Sequence, residues 1–259
     1  MNYIKDFEYH RMWDRYDLEW HDIHEDVNVL VGINGKGKTT LLDAMDGYYN
    51  GKLLASSFRK NLVGRIVATL LDCPVYYIQS SDVPAQAKKK GNSLLYERLL
   101  GVVLQNEKQE SFFNYRMRAL NYPEERSRIE KRIEMLFGVI DSYFMDSDKH
   151  IAIEKDSNML VFKEGDDEKI VTLQMLSAGE KQLLLILLTV FLMDEKPAVL
   201  LMDEPEVSLH IEWQEKLLKS LRKLNGNCQL IVTTHSPSIF ASGWENHITY
   251  IEDLYVDGK

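Results

Sequence analysis

Residues 26–42 read DVNVLVGINGKGKTTLL. Val27–Val31 is a short apolar run of the kind that forms a buried strand. It leads directly into Gly32-x4-Gly37-Lys38-Thr39, and a helical stretch, Leu41–Tyr48, follows. A glycine-rich loop between a strand and a helix, closed by Lys-Thr, is the context of a phosphate loop. The glycines let backbone N–H groups approach phosphate oxygens, so Asn34, Gly35, Lys36, Gly37, Lys38, Thr39 and Thr40 form the expected nucleotide-binding set. Lys38 would reach the β- and γ-phosphates, and the Thr39 hydroxyl would bind Mg²⁺. The helix N-terminus adds roughly half a positive charge facing the anion.

Two later strands supply what hydrolysis needs. Leu200-Leu201-Met202 ends in Asp203-Glu204, and Pro205 stops the strand where the acids must reach the site. Asp203 is the expected Mg²⁺ ligand, and Glu204 is placed to orient or deprotonate an attacking water. Gln229–Thr234 ends in His235-Ser236-Pro237. A histidine at the end of a neighbouring strand can bond the γ-phosphate or the water.

Upstream of the acidic strand lies Leu183–Leu192, a run of ten apolar or Thr residues, too short for the roughly 20 residues of a bilayer span. It is preceded by Ser177-Ala178-Gly179-Glu180, which fits the S-x-x-E capping box.

Strands alternate with helices, and most strands are apolar throughout, which indicates an α/β domain with parallel central strands. Tyr3–Tyr9, Tyr16–Trp20, Val75–Ile78, Ile151–Glu154, Met159–Lys163 and Ile170–Leu173 are further strand candidates, the last three as a meander turning at Asp156-Ser157-Asn158. Residues 85–145 read as an inserted helical lobe, broken near Gly91, at Tyr122-Pro123 and at Gly138. The expected division is therefore a core of 1–84 and 146–259, interrupted by 85–145.

The formal charge of −9 argues against a surface wrapped in nucleic acid. Residues 85–132 nevertheless carry 11 Lys and Arg against 6 Asp and Glu, with Lys88-Lys89-Lys90 the densest point. This basic segment is a candidate docking surface for DNA or an acidic protein; a set of solvated helix faces is the alternative. Cys73 and Cys228 have no ligand spacing and read as core residues of a reduced, cytoplasmic protein. The first 30 residues, rich in Asp, Glu, His and Trp, do not read as a signal peptide.

Leu176-Ser177-Ala178-Gly179-Glu180-Lys181-Gln182 resembles the signature of the ABC ATPases, and its details resemble the RecF, SMC and OLD (overcoming lysogenization defect) groups. Asp203-Glu204-Pro205-Glu206-Val207-Ser208-Leu209-His210, Thr234-His235-Ser236-Pro237 and the phosphate-loop stretch resemble OLD-like, AAA-type ATPases of bacterial phage defence. The resemblance covers about residues 1–80 and 150–250. It implies a core with a mixed sheet, part parallel and part antiparallel. It also implies that Ser177, Gly179 and Glu180 contact the γ-phosphate of ATP held by a second subunit, in a head-to-tail homodimer. Gln79 stands where the family's glutamine loop approaches the metal; Ser80, Ser81 and Asp82 are alternatives. Tyr9, Trp13 and Tyr16 are alternatives for stacking on adenine. Lys36 departs from the family, which commonly has Ser there.

The insertion is too short for the long coiled coil of SMC proteins, and about 20 residues follow the last motif. A controlled effector, nuclease or toxin-like, is therefore expected to be a separate polypeptide, and no membrane partner is expected. The leading expectation is an ATP-hydrolysing switch in phage defence. A RecF-like DNA-repair ATPase, an ATP-gated scaffold with slow turnover and a transporter ATPase remain as alternatives.

Overall fold

The computed structural model describes residues 1–51, 64–79, 93–104, 110–155 and 159–256. In chain order the elements are β1 (Phe7–Met12), β2 (Tyr16–Trp20), β3 (Val27–Val31), α1 (Lys38–Tyr49), β4 (Arg65–Ala68) and β5 (Val75–Ile78). Next come α2 (Leu94–Val103), α3 (Phe112–Asn121), α4 (Arg126–Phe144), β6 (Lys149–Ile153), β7 (Leu160–Glu164) and β8 (Lys169–Val171). The chain continues with α5 (Ala178–Leu192), β9 (Ala198–Asp203), α6 (Ile211–Leu224), β10 (Cys228–Thr233), β11 (Ile248–Tyr250) and β12 (Tyr255–Val256).

The central sheet is parallel, in the order β11-β3-β10-β9-β5. Its inner strands β3, β10 and β9 are buried on both faces, as continuous apolar runs require. Along β9, Val199 and Leu201 face α1, while Ala198, Leu200 and Met202 face α5 and α6. An antiparallel sheet, β12-β2-β1-β4, covers α1 on its outer side, and β6-β7-β8 form the expected meander. The fold class is the α/β core with a mixed parallel and antiparallel sheet that the resemblance implied.

The order of the central sheet builds the site. β3 and β9 flank β10, and Thr233 lies level with both Leu30 and Asp203. The C-terminal strand ends therefore place the loops after Val31, Asp203 and Thr233 side by side, where open α/β sheets bind ligands.

Several elements differ from expectation. β1 starts at Phe7 and runs to Met12, because Ile4 is drawn into the core, with its N–H donating to Gln229. Gly138 does not break a helix: it lies inside α4, with open space at its Cα. β4, β11 and β12 were not anticipated; β11 and β12 are only three and two residues long. Gly91, the Lys88-Lys89-Lys90 run and the Asp156-Ser157-Asn158 turn lie outside the described residues.

Helices α2–α4 do not have a core of their own. Leu99, Phe112, Ile129, Leu136 and Ile140 join the buried cluster that holds Leu184, Leu187 and Phe191 of α5. A buried ionic knot fixes this packing. Asp194, after α5, accepts bonds from Tyr115 Oη at 2.9 Å, Arg128 Nη1 at 2.7 Å and Arg118 Nη1 at 3.4 Å, and Arg132 Nε lies 3.5 Å away. Three arginines of the basic segment are thus paired with an acid outside it. Part of the positive count of 85–132 is thus compensated by an acid outside the segment, although only Arg132 of the three is buried.

Candidate functional site

The phosphate loop is shaped by backbone. Gly37, at the N-cap of α1, has φ 94°, and a Cβ there would meet Met12 Cε and Trp13 Cη2 at 3.0 Å. Only glycine combines that conformation with that closeness. α1 has no side-chain cap and no acid in its first turn, so its leading N–H groups are left for an anion. α5 is the opposite case: Ser177 Oγ accepts from Glu180 N, and Glu180 Oε2 accepts from Ser177 N at 2.6 Å, a complete capping box.

Five of the expected residues converge. Thr39 Oγ1 donates to Asp203 Oδ2 at 3.0 Å and lies 3.1 Å from Oδ1. Lys38 is 5% exposed; its Nζ donates to Gly32 O at 2.8 Å and to His235 Nε2 at 2.9 Å. His235 Nε2 also lies 3.4 Å from Glu204 Oε1. Burial pulls the Lys38 ammonium below its usual pKa, against the charges of Glu204, Glu252, Asp203 and Glu206. Burial, and then the Asp203 charge, pushes the Glu204 carboxyl up, which makes it a better proton acceptor.

Two residues that the motifs did not assign set this geometry. Thr233, fully buried, donates from Oγ1 to Asp203 Oδ1 at 2.6 Å and accepts from Glu204 N at 3.2 Å. It ties together the two acids across β9 and β10, and Glu204 takes up φ 46° there. Glu206 Oε1 accepts from Thr234 Oγ1 at 2.6 Å and from His235 N at 2.8 Å, which sets the histidine backbone. Its Oε2 is buried with no partner among the described residues. The level register of Thr233 and Asp203 was implicit in two adjacent parallel strands. Nothing in the sequence pointed to Glu206.

The remaining expected residues have other partners in the structure. Gln79 accepts from Arg98 Nη2 at 3.3 Å and bonds the Asp43 carboxyl, which in turn feels the Asp203 charge. Its alternatives Ser80, Ser81 and Asp82 lie outside the described residues. Glu180 is buried, and its carboxylate accepts from Ser177 N and Lys149 Nζ (2.9 Å). Gly179 is needed for a protein contact: a Cβ there would lie 2.2 Å from Ser208 O. Among the described residues, no hydrogen bond joins the Ser177–Glu180 segment to residues 32–40. Asn34, Gly35 and Lys36 are exposed on the loop, and the Lys36 carbonyl accepts from Tyr255 Oη.

Of the three aromatic candidates, Tyr9 is fully buried, whereas Trp13 and Tyr16 are 41% and 38% exposed. Trp13 lies against Gly37, with the Tyr16 ring 6.4 Å away and Tyr255 beyond it.

The arrangement is a lysine and free helix N–H groups for phosphates, a hydroxyl and a carboxylate at metal-sharing distance, and an acid and a histidine beyond them. Hydroxyl and carboxylate oxygens are the hard donors that Mg²⁺ takes.

Residues 84–241 match the family described as "AAA domain, putative AbiEii toxin, Type IV TA system". A curated relative, the "Retron Vc95 probable ATPase" of Vibrio cholerae serotype O1 biovar El Tor, is 28% identical over 148 residues. That stretch is 52% of this chain and 28% of the relative's length. Among solved structures, the Smc head bound to the C-winged helix domain of ScpA aligns with TM-score 0.57 at 14% identity, covering 93% of this chain and 92% of the other. A Smc head domain with an extended coiled coil, bound to the C-terminal domain of ScpA derived from Pyrococcus furiosus, gives 0.54 at 14% identity, with 93% and 91% covered. The chain belongs to this AAA domain family, and its fold is that of the Smc heads.

Proposed function

We propose that the protein binds ATP with Mg²⁺ and hydrolyses it at a site completed by a second copy of the chain. The observation that carries the reading is the convergence of Lys38, Thr39, Asp203, Glu204 and His235, with Thr39 and Asp203 only 3.0 Å apart. Thr39 and Asp203 hold the metal, which neutralises charge on the β- and γ-phosphates when bound. Lys38 leaves the Gly32 carbonyl for those phosphates. Glu204 takes a proton from the water as its oxygen attacks the γ-phosphorus. The bond to the bridging oxygen breaks, giving ADP and phosphate. His235 bonds the γ-phosphate or the water. Trp13 and Tyr16 stack on the adenine.

Ser177 and the N-terminus of α5 serve the partner's ATP. Support comes from the absence, among the described residues, of any bond between that segment and the chain's own phosphate loop. The hydrolytic cycle then switches a separate effector, toxin-like or nuclease, in phage defence. What supports this part is the toxin–antitoxin character of the family and the retron name of the relative. The pairing of Arg118, Arg128 and Arg132 with Asp194 weighs against DNA as the partner of the basic segment.

The test is phosphate release by purified protein with Mg²⁺ and with EDTA. Lys38→Ala and Asp203→Asn should each lower turnover by about 10² or more, the first by losing a cation on the phosphates, the second by losing the metal. Wild-type activity that persists in EDTA would overturn the metal assignment.

A further inference from the structure

At the end of the central sheet opposite the phosphate loop, two loops come together. One precedes β3 and carries His24 and Asp26; the other precedes β11 and carries His247. One donor atom from each of the three lies within 4.8 Å of the other two, and among the described residues no other group of His, Cys, Asp and Glu meets that spacing. His247 Nε2 is 3.6 Å from Asp26 Oδ1, close to the ~3.4 Å between ligands that share a tetrahedral metal at about 2.1 Å. The His24 and His247 rings are 4.8 Å apart.

The frame around these groups is rigid. Asn28 and Gln229, each 1% exposed or less, clamp the His24 backbone: His24 N donates to Asn28 Oδ1 at 2.9 Å, and His24 O accepts from Asn28 Nδ2 and Gln229 Nε2 at 2.8 and 2.7 Å. Asp26 O accepts from Leu230 N, and its Oδ1 accepts from Val27 N at 2.6 Å. His247 is held by its N–H to Trp244 O at 3.0 Å, and its Nδ1 is buried without a partner among the described residues. Only the exposed His24 side chain is free to swing, and its rotation closes the wider distances of the set.

We propose that His24, Asp26 and His247 bind a transition-metal dication of the Zn²⁺ kind. Two imidazoles and one carboxylate suit zinc and its neighbours and not Mg²⁺ or Ca²⁺, which take oxygen donors. The other clusters around a histidine, His10 with Glu8 and Asp17, and His21 with Asp6 and Glu19, have a single imidazole each. The bound metal staples β11, an edge strand of three residues, to the loop that feeds β3. It is remote from the nucleotide chemistry, and its role is to hold the sheet edge.

The test uses untagged full-length protein, stripped with chelator, in excess Mg²⁺ so that the Thr39–Asp203 pair is not the zinc sink. Titration with ZnCl₂ alone, followed by calorimetry and metal analysis, should give one tight zinc per chain. The melting temperature should climb with free zinc, as binding to the folded state demands. His24→Ala, at an exposed position that spares the fold, should weaken the tight site by more than about tenfold, the lower end of what even outer partners of a metal contribute. His21→Ala should leave it unchanged. Absence of tight zinc binding in the wild type, or a His24→Ala protein that binds within tenfold of it, would overturn the proposal.

Discussion

Lys38 Nζ and His235 Nε2, contributed by loops after different strands, lie 2.9 Å apart, with the Glu204 carboxylate 3.4 Å from the same nitrogen. The phosphate-binding cation is thus turned onto the groups proposed for hydrolysis. An incoming γ-phosphate would enter between them, exchanging a Lys–His bond for a Lys–phosphate bond and freeing His235 Nε2. ATP binding and arming of the histidine are then one rearrangement.

Glu204→Gln keeps the phosphate contacts and removes the proton acceptor. Turnover should drop by about 10² or more, while ATP binding is retained. With Mg²⁺ and ATP, gel filtration should show a larger, longer-lived dimer than the wild type forms. A variant that turns over normally would remove Glu204 from the role of base.

Glu206 acts through its neighbour. Glu206→Ala removes the acceptor of the exposed His235 N–H and of the buried Thr234 hydroxyl, a loss of about 1 kcal/mol. The expected result is a kcat reduced roughly tenfold at nearly unchanged KM, because the histidine and not the phosphate cradle is displaced. Glu206→Gln retains an acceptor oxygen and should restore most of the rate. Equal losses in both variants would point to the buried charge instead of the hydrogen bonds.

Ser177→Arg tests whether the signature helix serves the other chain. This variant should bind ATP through its intact Lys38 and hydrolyse little, because the arginine blocks closure. Mixed with Lys38→Ala, it should regain at most half the wild-type rate per heterodimer, since one site then carries both lesions and the other none. Wild-type hydrolysis by Ser177→Arg alone would reduce Ser177 to a helix cap.

Asp194 sets an acid limit to stability. Burial alone would raise its carboxyl, but bonds from Arg128 and Tyr115 and the charges of Arg128 and Arg118 outweigh that and hold it below the usual value. A depressed folded-state pKa gives stability that is complete above the unfolded pKa of about 3.9 and is lost as pH falls through the folded one. Asp194→Ala removes the acid shared by Arg118, Arg128 and Arg132, leaving Arg132 with Glu195 alone, and should cost about 1–3 kcal/mol at pH 7. In denaturant melts the gap between variant and wild type should close on acidification. A gap that stays constant down to pH 2 would contradict the ionic origin.

The central sheet was legible because its strands are continuous apolar runs and its loops carry glycine, proline and acid punctuation at fixed places. β11 and β12 were not: with three and two residues, they are strands because β3 and β2 lie beside them, not by their own pattern. Lys38, Thr39, Asp203, Glu204 and His235 could be named together because each ends a strand or opens a helix in a recognisable string. Glu206 is one residue in such a string, and only the tertiary structure brings it under the backbone of His235, 29 residues away. The basic count of 85–132 has a related blind spot: counting charge along the chain cannot see that Asp194 folds back onto three of the arginines.

The contact between Gly179 and the Ser208 carbonyl leaves no room for even a methyl group. Ser208 lies four residues beyond Glu204, in the loop that leaves the acidic strand with φ 69°. Steric exclusion makes the two segments behave as gear teeth in one direction: the start of α5 cannot move toward this loop without driving it. In the proposed dimer, one tooth belongs to the chain's own reaction centre and the other faces its neighbour's nucleotide. The two ATP sites would then be geared through the polypeptide itself, and the loss of phosphate at one would be felt as displacement at the other.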